Sequence, residues 1–210
     1  MRALALAVAL AAAAMSATAN EKPLAGDMTI GAINAPVEVI EYASLTCPHC
    51  RDFHRDVVEP LRAKYVATGK VRWVFRELPT PPVQIAVAAF QLARCEARSP
   101  VVYFDRLKVL FAEQDAIFTA LEARQGRAKF DALAAGFSLK PAQLDACLNQ
   151  PDIEQRINEA GDAAQRQGVT STPALFVSGA LVPLSDHSAE GMTRHIEAAL
   201  AASARAKKRR

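Results

Sequence analysis

Val37 to Ala43 (VEVIEYA), a run rich in β-branched residues, leads through Ser44-Leu45-Thr46 directly into Cys47-Pro48-His49-Cys50. This junction constrains the fold more than any other part of the chain. The apolar run reads as a strand, and the segment from about Pro48 to Val66 reads as a helix. Pro48 stands in its first turn, where a missing N–H costs nothing. Pro60 lies inside that helix and predicts a kink. Gly69 closes the segment, and Val71 to Leu78 (VRWVFREL) forms a second strand with Val71, Trp73 and Phe75 on one face. A β-α-β crossover makes the two strands parallel.

The placement of the cysteines carries chemistry. Two Cys separated by two residues at a helix start can close a small disulfide loop without moving the backbone. The Cys47 sulfur faces the free N–H groups of the helix, so its thiolate is stabilised. Cys47 is then both a nucleophile at neutral pH and a good leaving group, and the disulfide becomes oxidising. Cys50, one turn further in, is the less exposed resolving thiol, and His49 adds charge or a hydrogen bond between them. The rival reading is a Cys/His metal-binding module from Cys47, His49, Cys50 and His54. Structural zinc normally takes four ligands from two knuckles, and no second Cys-x-x-Cys exists. Cys50 and His54 share a helix face, but Cys47 and His49 would have to turn round to join them. The redox reading needs neither metal nor cofactor.

Beyond Pro79, Pro81 and Pro82 the character changes. Helical periodicity runs through Phe90, Leu107, Leu110, Phe111, Leu121 and Leu133 to about Asn149 with no strand signal. These residues, 80–149, read as a helical subdomain inserted into an α/β unit. A helix from Pro151 to Gln167 follows, with Ile153, Ile157, Ala160 and Ala164 on one stripe and Gly168 as its C-cap. Ala174 to Val177 and Ala180 to Leu184 flank a Ser178-Gly179 hairpin turn, and a closing helix covers Ala189 to about Ala202.

Gly168-Val169-Thr170-Ser171-Thr172-Pro173 enters the first hairpin strand about 120 residues after Cys-Pro-His-Cys. By itself Pro173 is an ordinary strand-entry proline. With the Cys pair, the arrangement resembles the thioredoxin-like superfamily, specifically the DsbA-type exported thiol–disulfide oxidoreductases, from about Val37 to Leu200. The resemblance implies a thioredoxin-like α/β fold in two parts, 20–79 and 150–200, around the inserted helices. It implies that Pro173 is cis and packs against Cys47, and that the Thr172 backbone pairs with an extended substrate. It places an acid six residues before the nucleophile, Glu41, as a proton carrier for Cys50; the alternative is an edge-strand carboxylate facing solvent. The basic partner expected beside that acid has no clear match, although Arg72 and Arg76 share a strand face. Thr172, where the best-known strong oxidases carry Val, is similar to disulfide isomerases, so isomerase or reductase activity is the same-class alternative. No dimerisation module precedes the first strand, which favours a monomeric oxidase. Its implied partners are unfolded exported proteins and a membrane DsbB-type quinone reductase.

The first residues bear on compartment. Arg2, the apolar run Ala3 to Met15 and the small-x-small pattern Ala17-Thr18-Ala19 read as a signal peptide, residues 1–19, cleaved before Asn20. That leader predicts a periplasmic protein, where disulfides persist. With four Cys in such a chain, Cys95 and Cys147 predict a second, structural disulfide; unbridged, they would act as small apolar residues. The net charge of +3 is uneven. Arg205, Lys207, Lys208, Arg209 and Arg210 crowd residues 201–210, read as a solvated, disordered basic tail. With these and Arg2 set aside, 19 basic residues face 22 acidic ones. A mildly acidic body with a basic end is a poor nucleic-acid binder, though an anionic membrane surface could attract the end.

Overall fold

A computed structural model describes residues 23–209. The leader and its cleavage site lie outside the described residues. Five strands form one mixed sheet in the order β1-β3-β2-β4-β5. Strands β2 (Val37–Ala43) and β3 (Val71–Glu77) are parallel, as a crossover demands, with Val39 opposite Trp73 and Glu41 opposite Phe75. Strand β4 (Ala174–Val177) runs antiparallel to β2, and the short β5 (Ala180–Leu181) folds back on β4 across Ser178-Gly179.

The strand β1 (Met28–Ile30), antiparallel to β3, has no counterpart in the sequence reading. Three residues are too few to show alternation. Gly31 follows it with φ +101°, and a Cβ there would run into the Val71 carbonyl, so the close approach to β3 needs glycine.

Helix α1 (Pro48–Phe53) continues as a π-helical stretch, His54–Val58, one α turn α2 (Glu59–Leu61), and a second π stretch, Arg62–Val66. The segment therefore remains helical through Pro60. The wider turns on either side accommodate the lost donor. Helices α3 (Val83–Arg94), α4 (Pro100–Ala112), α5 (Gln114–Glu122), α6 (Gly126–Gly136) and α7 (Pro141–Leu148) make up the helical insertion. α8 (Ile153–Arg166) then returns to the sheet.

Period-two alternation divides the core between the sheet's faces. Val37, Val39, Ala43, Trp73 and Phe75 pack into one large cluster with the insertion and the last helix. Ile40, Tyr42, Val74 and Phe176 cover the other face with Ala163 and Ala164 of α8.

Cys95, at the end of α3, is bonded to Cys147 of α7 with Cα atoms 5.4 Å apart. Replacing both with Ala should cost about 2–4 kcal/mol through the 52-position loop it closes. A urea midpoint unchanged by the double replacement would remove that contribution.

The basic end departs from the expectation of disorder. Helix α9 (Ala189–Lys208) passes through Ala202 and includes Arg205, Lys207 and Lys208. Its last turns, Ala-Ala-Ser-Ala-Arg-Ala-Lys-Lys, contain no Gly, Pro or β-branched residue, and cations suit a helix C-terminus. Among the described residues, no helix is long and apolar enough to cross a membrane.

Candidate active site

Where β2 meets α1, the backbone is fastened from several sides. Cys47 N–H donates to the Ser44 carbonyl, and Thr46 Oγ1 donates to the Thr80 carbonyl at 2.7 Å. Gln114 of α5 reaches across with Nε2, donating to the carbonyls of Leu45 (2.9 Å) and Cys47 (3.1 Å). Cys47 is the extended N-cap of α1, with Pro48 beginning the helix. Cys47 and Cys50 are both free thiols.

Cys47 is the more accessible of the two, although only 8% exposed, and Cys50 is fully buried. The Thr172–Pro173 peptide is cis, and Cys47 Sγ lies 3.4 Å from the Thr172 carbonyl oxygen, to which it donates when protonated. The two thiols are pushed in opposite directions. A hydrogen bond from the Cys50 thiol is the main cause that brings Cys47 down to about 5, against the opposing effect of burial, with help from Thr172 and the N–H groups of Cys50 and His49. Burial drives Cys50 well above the ordinary thiol range, and the neighbouring Cys47 adds to it. At neutral pH the site therefore holds one thiolate and one thiol.

Glu41 points into the large core rather than to solvent, because it shares the face of Val39 and Ala43, and it is fully buried. Its Oε1 meets His54 Nε2 at 2.8 Å, and its Oε2 accepts from Trp73 Nε1 at 3.0 Å. The basic partner is thus His54, not an arginine. Arg72 pairs with Glu38, and Arg76 bonds Asp27 and Tyr42 on the opposite face. The His54 ring is stacked on Phe111 at 4.1 Å and edge-on to Phe75, so packing sets its orientation. Spacing from Cys50 places His54 on the same helical face as that thiol, but nothing in the linear pattern points to Glu41 as its partner. Glu41 and His54 bind each other, while His49 is exposed, so the four Cys and His side chains considered for a metal do not converge on one point.

Beside the cysteines lies a groove of about 850 Å³ lined by His49, Phe53, Thr172, Pro173, Leu184 and His187. His187 was not anticipated. Burial lowers its pKa, and its Nε2 lies 3.2 Å from the Val182 carbonyl.

A family model described as thioredoxin matches residues 24–198. A Rickettsia typhi protein that bears the name protein-disulfide oxidoreductase is 28% identical over 176 residues, covering 83% of this chain and 62% of that protein. The chain spans about three-fifths of the length of the curated Rickettsia relatives it matches. Disulfide bond formation protein D of Bacillus subtilis is 21% identical over 166 residues, 79% of this chain and 74% of that one. Among solved structures, alpha-DsbA1 of Wolbachia pipientis superposes with a TM-score of 0.74 at 28% identity, covering 86% of this chain and 94% of that one. With the matched span running from the segment before β1 into α9, the chain belongs to the thioredoxin family and is DsbA-like in sequence and fold.

Proposed function

We propose that the chain is an exported, monomeric thiol:disulfide oxidoreductase that donates its Cys47–Cys50 disulfide to newly translocated, unfolded proteins. The observation that carries this reading is the opposed perturbation of the two thiols, with Cys47 at about 5 and Cys50 raised. In the oxidised enzyme a substrate thiolate attacks Cys47 Sγ and forms a mixed disulfide. The Cys47–Cys50 bond breaks, and its electron pair leaves on Cys50, which takes up a proton. A second substrate thiolate then attacks the substrate's own sulfur in the mixed disulfide and expels Cys47 as thiolate. The substrate has lost two electrons and the enzyme has gained them. The low pKa of Cys47 favours this second displacement, because a weakly basic thiolate leaves fast. Thr172 and Pro173 would hold an extended substrate segment beside Cys47, and His49 borders the same groove. A membrane quinone-linked partner of DsbB type would take the electrons away.

The deciding experiment compares reduced, unfolded ribonuclease with a mispaired form as substrates. Faster oxidation of the first supports an oxidase, whereas faster unscrambling of the second makes the protein an isomerase. Export is read by N-terminal sequencing of envelope material. A start at Asn20 supports it, and a start at Met1 overturns it.

Stability should report the same thiol. Cys47 titrates near 5 in the folded, reduced protein against 9.0 for the ordinary value. Its contribution is fully present above 9.0 and is lost as pH falls through about 5. Cys50, shifted upward, opposes it only above the ordinary thiol value. The oxidised protein has neither titration. Between pH 5 and pH 7 the reduced form should therefore gain on the order of 2 kcal/mol over the oxidised form. Urea midpoints of both forms at both pH values measure this, and parallel changes would rule out a depressed Cys47.

A further inference from the structure

The cations at the end of α9 form a feature that thiol exchange does not use. Leu200 is the last residue of this helix packed against the core, and Ala201 to Lys208 extend it by about 12 Å. Arg205, Lys207, Lys208 and Arg209 are all exposed, and none is joined by an ion pair or hydrogen bond to another described residue's side chain. Residues 198–209 contain no Asp or Glu, and Glu197, whose carboxylate accepts from the Tyr65 hydroxyl, stands two turns before Arg205, so no acid one turn back neutralises the cluster. We propose that this projecting helical end is a docking arm for an anionic lipid surface.

One observation favours a leaflet over another polyanion, and two more describe the contact. The cations are spread around the axis, since successive residues turn by about 100°. A partner with a fixed charge pattern would be matched by one side of a helix, whereas mobile headgroups can gather around its end at any roll angle. Ala201, Ala202, Ser203 and Ala204 lead up to the cations and Ala206 stands among them, with no aromatic or large aliphatic side chain to insert. Contact is then electrostatic and peripheral, in the manner of a polybasic segment beside an anionic membrane. The body of the protein, mildly acidic by its residue count, sits beyond one Debye length, about 8 Å at physiological salt, and its repulsion is screened.

Orientation gives the arm a purpose. Ser188, Ala189 and Glu190, at the opposite end of α9, border the active-site groove. A helix of 20 residues is about 30 Å long. Docking by the cationic end leaves the groove on the far side of the protein, open to chains arriving from the membrane. This proposal does not rest on the redox reading and can succeed or fail without it.

The test uses the purified protein, vesicles of phosphatidylcholine alone, and vesicles with about a third phosphatidylglycerol. The readout is the ratio of binding to anionic over neutral vesicles, in which any apolar contribution cancels. A ratio well above one that falls steeply with added salt is expected. The variant Arg205→Gln/Lys207→Gln/Lys208→Gln/Arg209→Gln should lose roughly fivefold in that ratio for each charge removed. Its melting temperature and ribonuclease oxidation in solution should be unchanged, which keeps a misfolded variant from counting as support. A ratio near one for the natural protein, or an equal ratio for the variant, overturns the proposal. Tighter binding to a double-stranded oligonucleotide than to anionic vesicles at the same salt overturns it as well.

Discussion

Cys50→Ala should accumulate mixed disulfides with exported proteins, and Cys47→Ala should accumulate few. The difference follows from burial and charge at the two sulfurs. Cys47 retains a sliver of exposure beside the groove, and Thr172 with the backbone N–H groups of residues 49 and 50 still lowers its pKa in the Cys50→Ala variant, so its thiolate can attack a substrate disulfide, forming a mixed disulfide and releasing the other substrate sulfur as thiolate. Without Cys50 the enzyme supplies no thiol to release the substrate, and adducts whose substrate presents no second thiolate to the mixed disulfide persist. In Cys47→Ala the remaining sulfur is fully buried with its pKa raised, so it is neither accessible nor ionised at neutral pH. Removing Cys50 also removes the hydrogen bond that does most to lower Cys47. Trapping in Cys50→Ala should therefore be slower at pH 6 than at pH 8. Non-reducing gels of both variants decide the assignment; adducts of equal abundance would mean that the roles are reversed or shared. Substrate oxidation should fall to background in both, since each lacks the disulfide to donate.

His54→Leu should destabilise the protein by about 3–5 kcal/mol, because it leaves a carboxyl group buried without its main partner. Glu41 would keep only the Trp73 indole N–H, on one oxygen. The histidine also fills the space between Phe111 and Phe75, which Leu occupies with less contact. Glu41→Leu/His54→Leu removes both polar groups together and should recover part of the loss. A double-mutant cycle from urea unfolding isolates the coupling. Coupling near zero would show that packing, rather than the Glu41–His54 bond, accounts for the single-variant loss. The conservative His54→Gln, which can still donate to Glu41, should lie between Leu and the natural residue.

Much of this architecture could be read locally. The β-branched run before Cys47, Pro48 at the helix start and the Ser-Gly turn each record their structure in a few adjacent residues. Trp73 and Phe75 on the core side of β3 follow from a period of two. Other features depend on contacts that a linear pattern does not encode. The partner of Glu41 lies 13 residues away on a different element, and the arginines that seemed available face other acids. β1 is too short to carry a periodic signal and is held by its pairing with β3. Residues 201–208 were misread because charge density suggests a solvated coil, whereas the alanines between the charges propagate a helix already begun at Ala189.

The hydrogen bonds from Gln114 to the carbonyls of Leu45 and Cys47 make the two parts of the protein impossible to exchange independently. Phe111, also from the insertion, supports the ring that binds Glu41. A chimera that kept every residue of the Cys-Pro-His-Cys and Thr-Pro segments but took its helices from a relative would lack these two supports. Its thiols could behave differently with no active-site sequence changed. In a protein built this way, reactivity is inherited with the insertion, and transplanting the motif alone transfers the cysteines without the setting that tunes them.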